Sequence, residues 1–226
     1  MNTLALLNGF RFVDSFFPSG GYAFSSGLEA AVQGGAVRNA EELSRFVAEL
    51  LTSGMGEREA VAVGLAHDSF VTSHLEIALQ ADHELEAMKL GRESRIASRQ
   101  MGRQVIRLAA EQNHRHRLID DYLAAVEAGQ TSGHMAVSIG LTLAAAGWSK
   151  EDTIASFLYQ TVTGFVAAAM KLMPIGQREG QRLLEGWIEV IERVSQQAAR
   201  QQELRRHLGE VIQPAPGGVR WLEHRR

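Results

Sequence analysis

Cysteine is absent from the 226-residue sequence. Disulfides and thiolate metal sites are therefore excluded, and the absence fits a reducing compartment. Proline occurs only four times, and Pro18 and Pro174 fall at breaks between helical patterns. No segment alternates apolar and polar residues for long enough to predict a strand. The longest apolar run, residues 165–170, is far too short to cross a bilayer. The opening MNTLALLNGFRFVD lacks the basic start, long apolar middle and small-residue cleavage site of a signal peptide. A net charge of −3 gives no global pull toward nucleic acid or an anionic membrane. The phosphate-cradling pattern GxxxxGK(S/T) is missing, and so is the nucleophile elbow GxSxG. Together these absences predict a soluble cytoplasmic protein that neither binds a nucleoside triphosphate as a P-loop protein does nor carries a recognisable catalytic set.

What the sequence does contain is helical periodicity. Leu43, Phe46, Val47, Leu50 and Leu51 recur at the spacing of one helix face. Ile154, Phe157, Leu158, Phe165 and Val166 mark a second stripe, and Leu184, Trp187, Ile188, Ile191 and Val194 a third. Three hydroxyl or amide residues stand three positions before a glutamate: Ser26 before Glu29, Asn39 before Glu42 and Ser73 before Glu76. Each pair predicts a capped helix start, and Gly34 with Gly35 predicts a stop. The expected architecture is all-α, about ten helices with short connections in one domain over residues 1–212. QPAPGG at 213–218 reads as a linker, and the basic, aromatic VRWLEHRR after it completes a tail over residues 213–226.

Three features carry chemistry. In PSGGYAFSSGLEAAV, Pro18 and Gly20 or Gly21 make a turn that runs into a helix start, where free backbone N–H groups favour negative charge. An ordinary capped turn accounts for this, except for the aromatics Tyr22 and Phe24, which are either core residues or contacts for a neighbour. In LGRESRIASRQMGRQVIRLAA, Arg92, Arg95, Arg99, Arg103 and Arg107 form one slowly spiralling basic stripe. Leu90, Ala97, Met101, Val105 and Leu108 are expected to be its buried face. The stripe is a solvated face, a surface for an acidic partner, or a track for phosphates. The eight histidines raise a metal hypothesis, but His114 and His116 diverge on a helix and have no third ligand nearby. His134, in SGHMAVSIG, reads as a hydrogen-bonded core histidine.

Three stretches, in order, resemble the signatures of the urease accessory protein F (UreF) family. PSGGYAFSSGLEAAV is similar to the first through Pro18, Gly20, Gly21, Tyr22, Ser25, Gly27, Leu28 and Glu29. ESRIASRQMGR is similar to the central motif through Ser94, Arg95, Ser98, Gln100, Gly102 and Arg103. KLMPIGQREGQRLL is similar to the third through Lys171, Pro174, Gly176, Gln177, Gly180 and Gln181. The resemblance implies an all-helical, commonly homodimeric chaperone of the cytoplasm that helps insert nickel into urease without catalysis of its own. It implies a complex with accessory protein D/H and the GTPase G that engages the urease apoprotein, with no nucleic acid or membrane partner. No cofactor would be bound intrinsically, nickel and GTP being handled by the complex. Partner contacts are expected at Tyr22, Ser26, Glu29, Arg95, Arg99, Gln100, Arg103, Lys171 and Gln177. The tail VRWLEHRR is chemically similar to the segment with which family members dock accessory protein D/H, though it departs from it in sequence, and adds Arg220 and Trp221. The competing expectation is an all-helical nucleic-acid-binding regulator that uses residues 92–107.

Overall fold

Every residue from Met135 to Ala144 is buried in the centre of the packed helices. The computed structural model describes residues 2–14, 17, 18, 24–112 and 116–211. Among them are ten α-helices and no strand, as the periodicity predicts. They are α1 (Thr3–Val13), α2 (Leu28–Gln33), α3 (Ala40–Leu50), α4 (Ala60–Thr72), α5 (Leu75–Met88), α6 (Arg92–Gln112), α7 (Arg117–Glu127), α8 (Met135–Ala145), α9 (Lys150–Leu172) and α10 (Gln177–Val211). A π-helical segment, Leu51–Glu59, joins α3 to α4 without a break. Within it the Thr52 and Ser53 hydroxyls donate to the Ala48 and Glu49 carbonyls, at 2.9 and 2.6 Å. The expected linker and tail, with Arg220 and Trp221, lie outside the described residues, as do Tyr22 and His114.

The helix MAVSIGLTLAA is apolar on all sides, which suits only a fully enclosed position. It packs against α4, α6 and α9. The approach of α4 is close because position 140 is glycine: a Cβ there would lie 2.4 Å from the Val63 carbonyl oxygen. α9 is long and apolar enough to cross a membrane by length and composition. Its apolar face, Ile154, Phe157, Leu158, Val162 and Phe165, is instead buried, and the helix packs against α10 and α4. Burial of such a face stabilises a core by roughly 1.5–3 kcal/mol per large side chain. Two tryptophans tie the periphery to this core with their indole N–H groups. Trp187 of α10 donates to the Ser44 carbonyl at 3.2 Å, and Trp148 donates to the Ala5 carbonyl at 2.8 Å.

Local signals are met unevenly. Asn39 caps α3, its Oδ1 accepting the Glu42 N–H at 2.9 Å. Glu42 turns to Arg38 instead of closing the reciprocal bond, accepting its backbone N–H at 2.8 Å. Gly34 and Gly35 end α2, with Gly35 at φ 74° and the Ala36 N–H donating back to the Ala31 carbonyl at 2.8 Å. The other two predicted caps do not form. Ser26 and Ser73 are left-handed, at φ 51° and 58°, so neither has the extended backbone of an N-cap. Gly27 precedes α2 instead, and Ser73 closes α4 while His74 precedes α5. The predicted apolar face of α6 is also corrected. Leu90 lies before the helix and is 89% exposed, and the buried residues are Ala97, Ser98, Gly102, Val105, Ile106 and Ala109. Small residues dominate that face because α6 closes tightly on the backbone that enters α8.

Candidate partner-binding surface and the polar network beneath it

The segment ESRIASRQMGR forms the first half of α6, and its inner side faces the turn at residues 131–134 that leads into α8. Gly102 sets the distance. A Cβ at this position would lie 2.2 Å from the Gly133 carbonyl oxygen and 2.5 Å from the Met135 nitrogen. No other residue fits without moving one of the two elements. Four residues earlier on the same face, the Ser98 hydroxyl reaches both ends of the His134 to Met135 step. It lies 3.1 Å from His134 Nδ1 and accepts the Met135 N–H at 3.3 Å.

Two carboxylates from α5 complete the network, one helical turn apart. Asp82 is fully buried. It accepts the Thr131 hydroxyl at 2.6 Å and the backbone N–H groups of Ser132, Gly133 and His134 at 2.7, 2.8 and 2.7 Å. These amides precede and open α8, so the negative charge also complements the positive end of the helix dipole. Glu86 accepts the Arg99 Nε at 2.8 Å, with a second bond from Arg99 Nη2, the Ser132 hydroxyl at 3.0 Å, and His134 Nε2 at 3.0 Å. Burial works against the charge on Glu86, but Arg99, Ser132 and His134 outweigh it and bring its pKa to about 2.

An ionised Glu86 can only accept, so Nε2 of His134 carries the hydrogen and Nδ1 accepts from the Ser98 hydroxyl. Burial lowers the His134 pKa; the charges of Asp82 and Glu86 act the other way without reversing this. Burial, followed by the charge of Asp82, raises the Tyr122 phenol well above its usual value. The order hydroxyl, imidazole, carboxylate is that of a nucleophile relay. Here it is closed in: His134 is 0% and Ser98 5% exposed, beneath the first turn of α8. The network's chemistry is to lock four elements, α5, α6, the 131–134 turn and α8, into one arrangement.

The sequence-predicted residues that are described fall into three groups, on α6, at the α9 to α10 turn and at the start of α2. On α6, Arg99 is half-buried and committed to Glu86, and Arg103 is exposed but donates its Nε to the Ser132 carbonyl at 3.0 Å. Part of the expected basic stripe is thus directed inward. Arg95 is half-buried and Gln100 exposed. On α9 and α10, Lys171 and Gln177 are exposed beside the turn that carries Pro174 and Gly176, while Met173 and Ile175 anchor that turn in the core. Gly180 lets α10 close on α9, since a Cβ there would lie 2.8 Å from Val166 Cγ1. Ser26 and Glu29 are exposed at the start of α2, with Glu29 accepting from Gln33 at 3.2 Å. Among the described residues, no three histidine or carboxylate side chains gather as a metal site. Asp82 and Glu86 were missed from sequence; the available signal was their i, i+4 spacing beside the apolar Ala78, Ala81 and Leu85.

Comparison with known proteins decides the family. The UreF family model matches residues 37–187, a span that holds both the α6 segment and the α9 to α10 turn. The chain belongs to the UreF family. It is 30% identical over 172 residues to the urease accessory protein UreF of Actinobacillus pleuropneumoniae serotype 5b, covering 76% of this chain and 75% of that protein. It is 28% identical over 180 residues to UreF of Lachnoclostridium phytofermentans, covering 80% and 78%. UreF of Yersinia enterocolitica is 29% identical over 184 residues, covering 81% and 80%. The expected all-α fold and the UreF resemblance are therefore both met, and the chain is a urease accessory protein by family. Nothing in these comparisons supports the nucleic-acid alternative.

Proposed function

We propose that this chain is a non-catalytic chaperone of urease maturation, acting in the cytoplasm as a homodimer within a complex. The complex comprises accessory protein D/H and the GTPase G, and engages the urease apoprotein. Nickel is its cargo and GTP the fuel of its GTPase, and this chain modulates hydrolysis by contact alone. Family membership over residues 37–187 is the observation that carries the reading. Two further points support it. The sequence has no P-loop of its own, which leaves the nucleotide to a partner. Of the family-signature side chains, Ser98 and Gly102 are buried in the α6 packing while Gln100, Lys171 and Gln177 face outward, the division expected of a rigid presenting surface. The test is co-purification of the full-length chain with tagged accessory protein D/H and GTPase G. The reading expects a stable ternary complex that captures urease apoprotein, and recovery of neither protein would refute it.

A further inference from the structure

Helix α6 engages its inner arginines and presents its outer ones. Arg99 and Arg103 are held by Glu86 and the Ser132 carbonyl. Arg92 is exposed and Arg95 half-buried, and among the described residues neither has an ion-pair partner. Both stand in the first turn of α6, directly after a three-residue junction in which Leu90 is 89% exposed. Met88, the last residue of α5, and Ile96, in the second turn of α6, are 40% and 38% exposed.

The junction is braced. The Lys89 ammonium pairs with Glu59 of the π-helical segment. The Lys89 N–H donates to the Leu85 carbonyl and the Arg95 N–H to the Gly91 carbonyl, each at 3.0 Å. Leu90 therefore projects into solvent from a fixed backbone. Beside it opens a cleft of about 210 Å³ lined by Arg58, Leu85, Met88, Lys89, Leu90 and Ser94. Among the described residues the cleft's charged lining is Arg58, Lys89 and Glu59, the last two paired with each other, and Arg92 and Arg95 follow the junction in the first turn of α6.

We infer that this basic and aliphatic patch is the docking site for an acidic segment of a partner protein. An apolar side chain of that segment enters the cleft beside Leu90 while its carboxylates pair with Arg92 and Arg95. Guanidinium forks without an internal acid suit carboxylates in bidentate geometry. An exposed aliphatic cluster on a braced backbone is a pre-organised anchor. Nucleic acid fits less well, because single strands are held by stacking on aromatic rings and the patch residues named here are aliphatic. The inference rests on the scaffold reading above and narrows it to one face, the outer start of α6.

The test compares the full-length wild type with two patch variants and one control. The first patch variant combines Leu90→Asp with Arg92→Glu and Arg95→Glu. The second, milder one combines Arg92→Ala with Arg95→Ala. The control carries Leu4→Asp and Leu7→Asp, two other exposed apolar residues, on α1. Each is measured by biolayer interferometry against urease apoprotein, accessory protein D/H, GTPase G and a duplex DNA probe, at low and high salt. The inference expects one protein partner to lose at least ~tenfold in affinity with the first variant, less with the second, and nothing with the control. Wild-type binding to that partner weakens with salt, and melting temperatures stay unchanged. Wild-type affinity of both patch variants for every protein overturns the inference alone, as does tighter binding of the wild type to DNA than to any protein. Failure of the wild type to bind any of the three proteins overturns the scaffold reading and this inference with it.

Discussion

The carboxylate of Asp82 accepts the backbone N–H of His134 at 2.7 Å, joining two points 52 residues apart in the chain. It is one of four donors on a fully buried acid, all from the turn that opens the central helix. Removing the acceptor would leave four donors, three of them in fully buried bonds, without their partner. Asp82→Ala is expected to destabilise the fold strongly, at about 1–3 kcal/mol for each buried donor left unpaired. Asp82→Asn keeps one carbonyl acceptor and is expected to cost less. Urea unfolding of the two variants checks the order; equal stability with the wild type would show that the turn is held by other means.

Glycine tolerance separates contact from exposure. Gly102→Ala drives a methyl into the Gly133 carbonyl and is expected to cost about 1–3 kcal/mol, as overpacking does. Gly186, on the open side of α10, has nothing within 4 Å of the position a Cβ would take. There, replacement by alanine is expected to stabilise by roughly 0.5–1 kcal/mol through helix propensity. Thermal melts of the two single variants should move in opposite directions.

Stability should fall in two steps on acidification. The folded-state pKa of His134 is lowered, burial being the main cause, so the unfolded chain takes up its proton first. This loss begins as pH drops below the ordinary histidine value of about 6.5. Glu86, held at about 2 by Arg99, Ser132 and His134 against the cost of burial, contributes stability at neutral pH. That contribution is lost as pH falls from the ordinary glutamate range toward its folded value. Melting temperatures of wild type and His134→Gln across this range check the first step. The variant is expected to be less stable at pH 7 and flatter between neutral and mildly acidic pH; an unchanged slope would remove His134 as the cause.

The arginines of α6 should divide by role. Arg99→Ala removes two bonds from Glu86 and leaves that carboxylate without its cation, so the melting temperature should drop. Arg95→Ala breaks no ion pair among the described residues and should leave the melting temperature in place. Differential scanning fluorimetry of the two single variants distinguishes them, and equal melting temperatures would contradict the division.

The helices were legible because their apolar residues recur at helical spacing, and Asn39 and the two glycines after Gln33 were legible because cap chemistry is local. The core position of His134 followed from its small, apolar neighbours. Ser26 and Ser73 misled because the same hydroxyl that caps a helix also tolerates a left-handed turn, and local sequence does not choose between them. The stripe on α6 misled for another reason. Arginines at helical spacing read as one exposed face, while the acid that draws Arg99 inward is 13 positions earlier, on α5. Asp82 and Glu86 look like the solvated acids of ADHELEAM until the fold places the 131–134 turn against them. Contacts across tens of residues leave no local pattern to read.

The most direct test of the account is activation of urease apoprotein in a mixture of nickel, GTP, accessory protein D/H and GTPase G, with and without this chain. The account predicts that urease activity appears only when the chain is present, and that its addition raises the yield of nickel-loaded enzyme. Equal activation in its absence would contradict it.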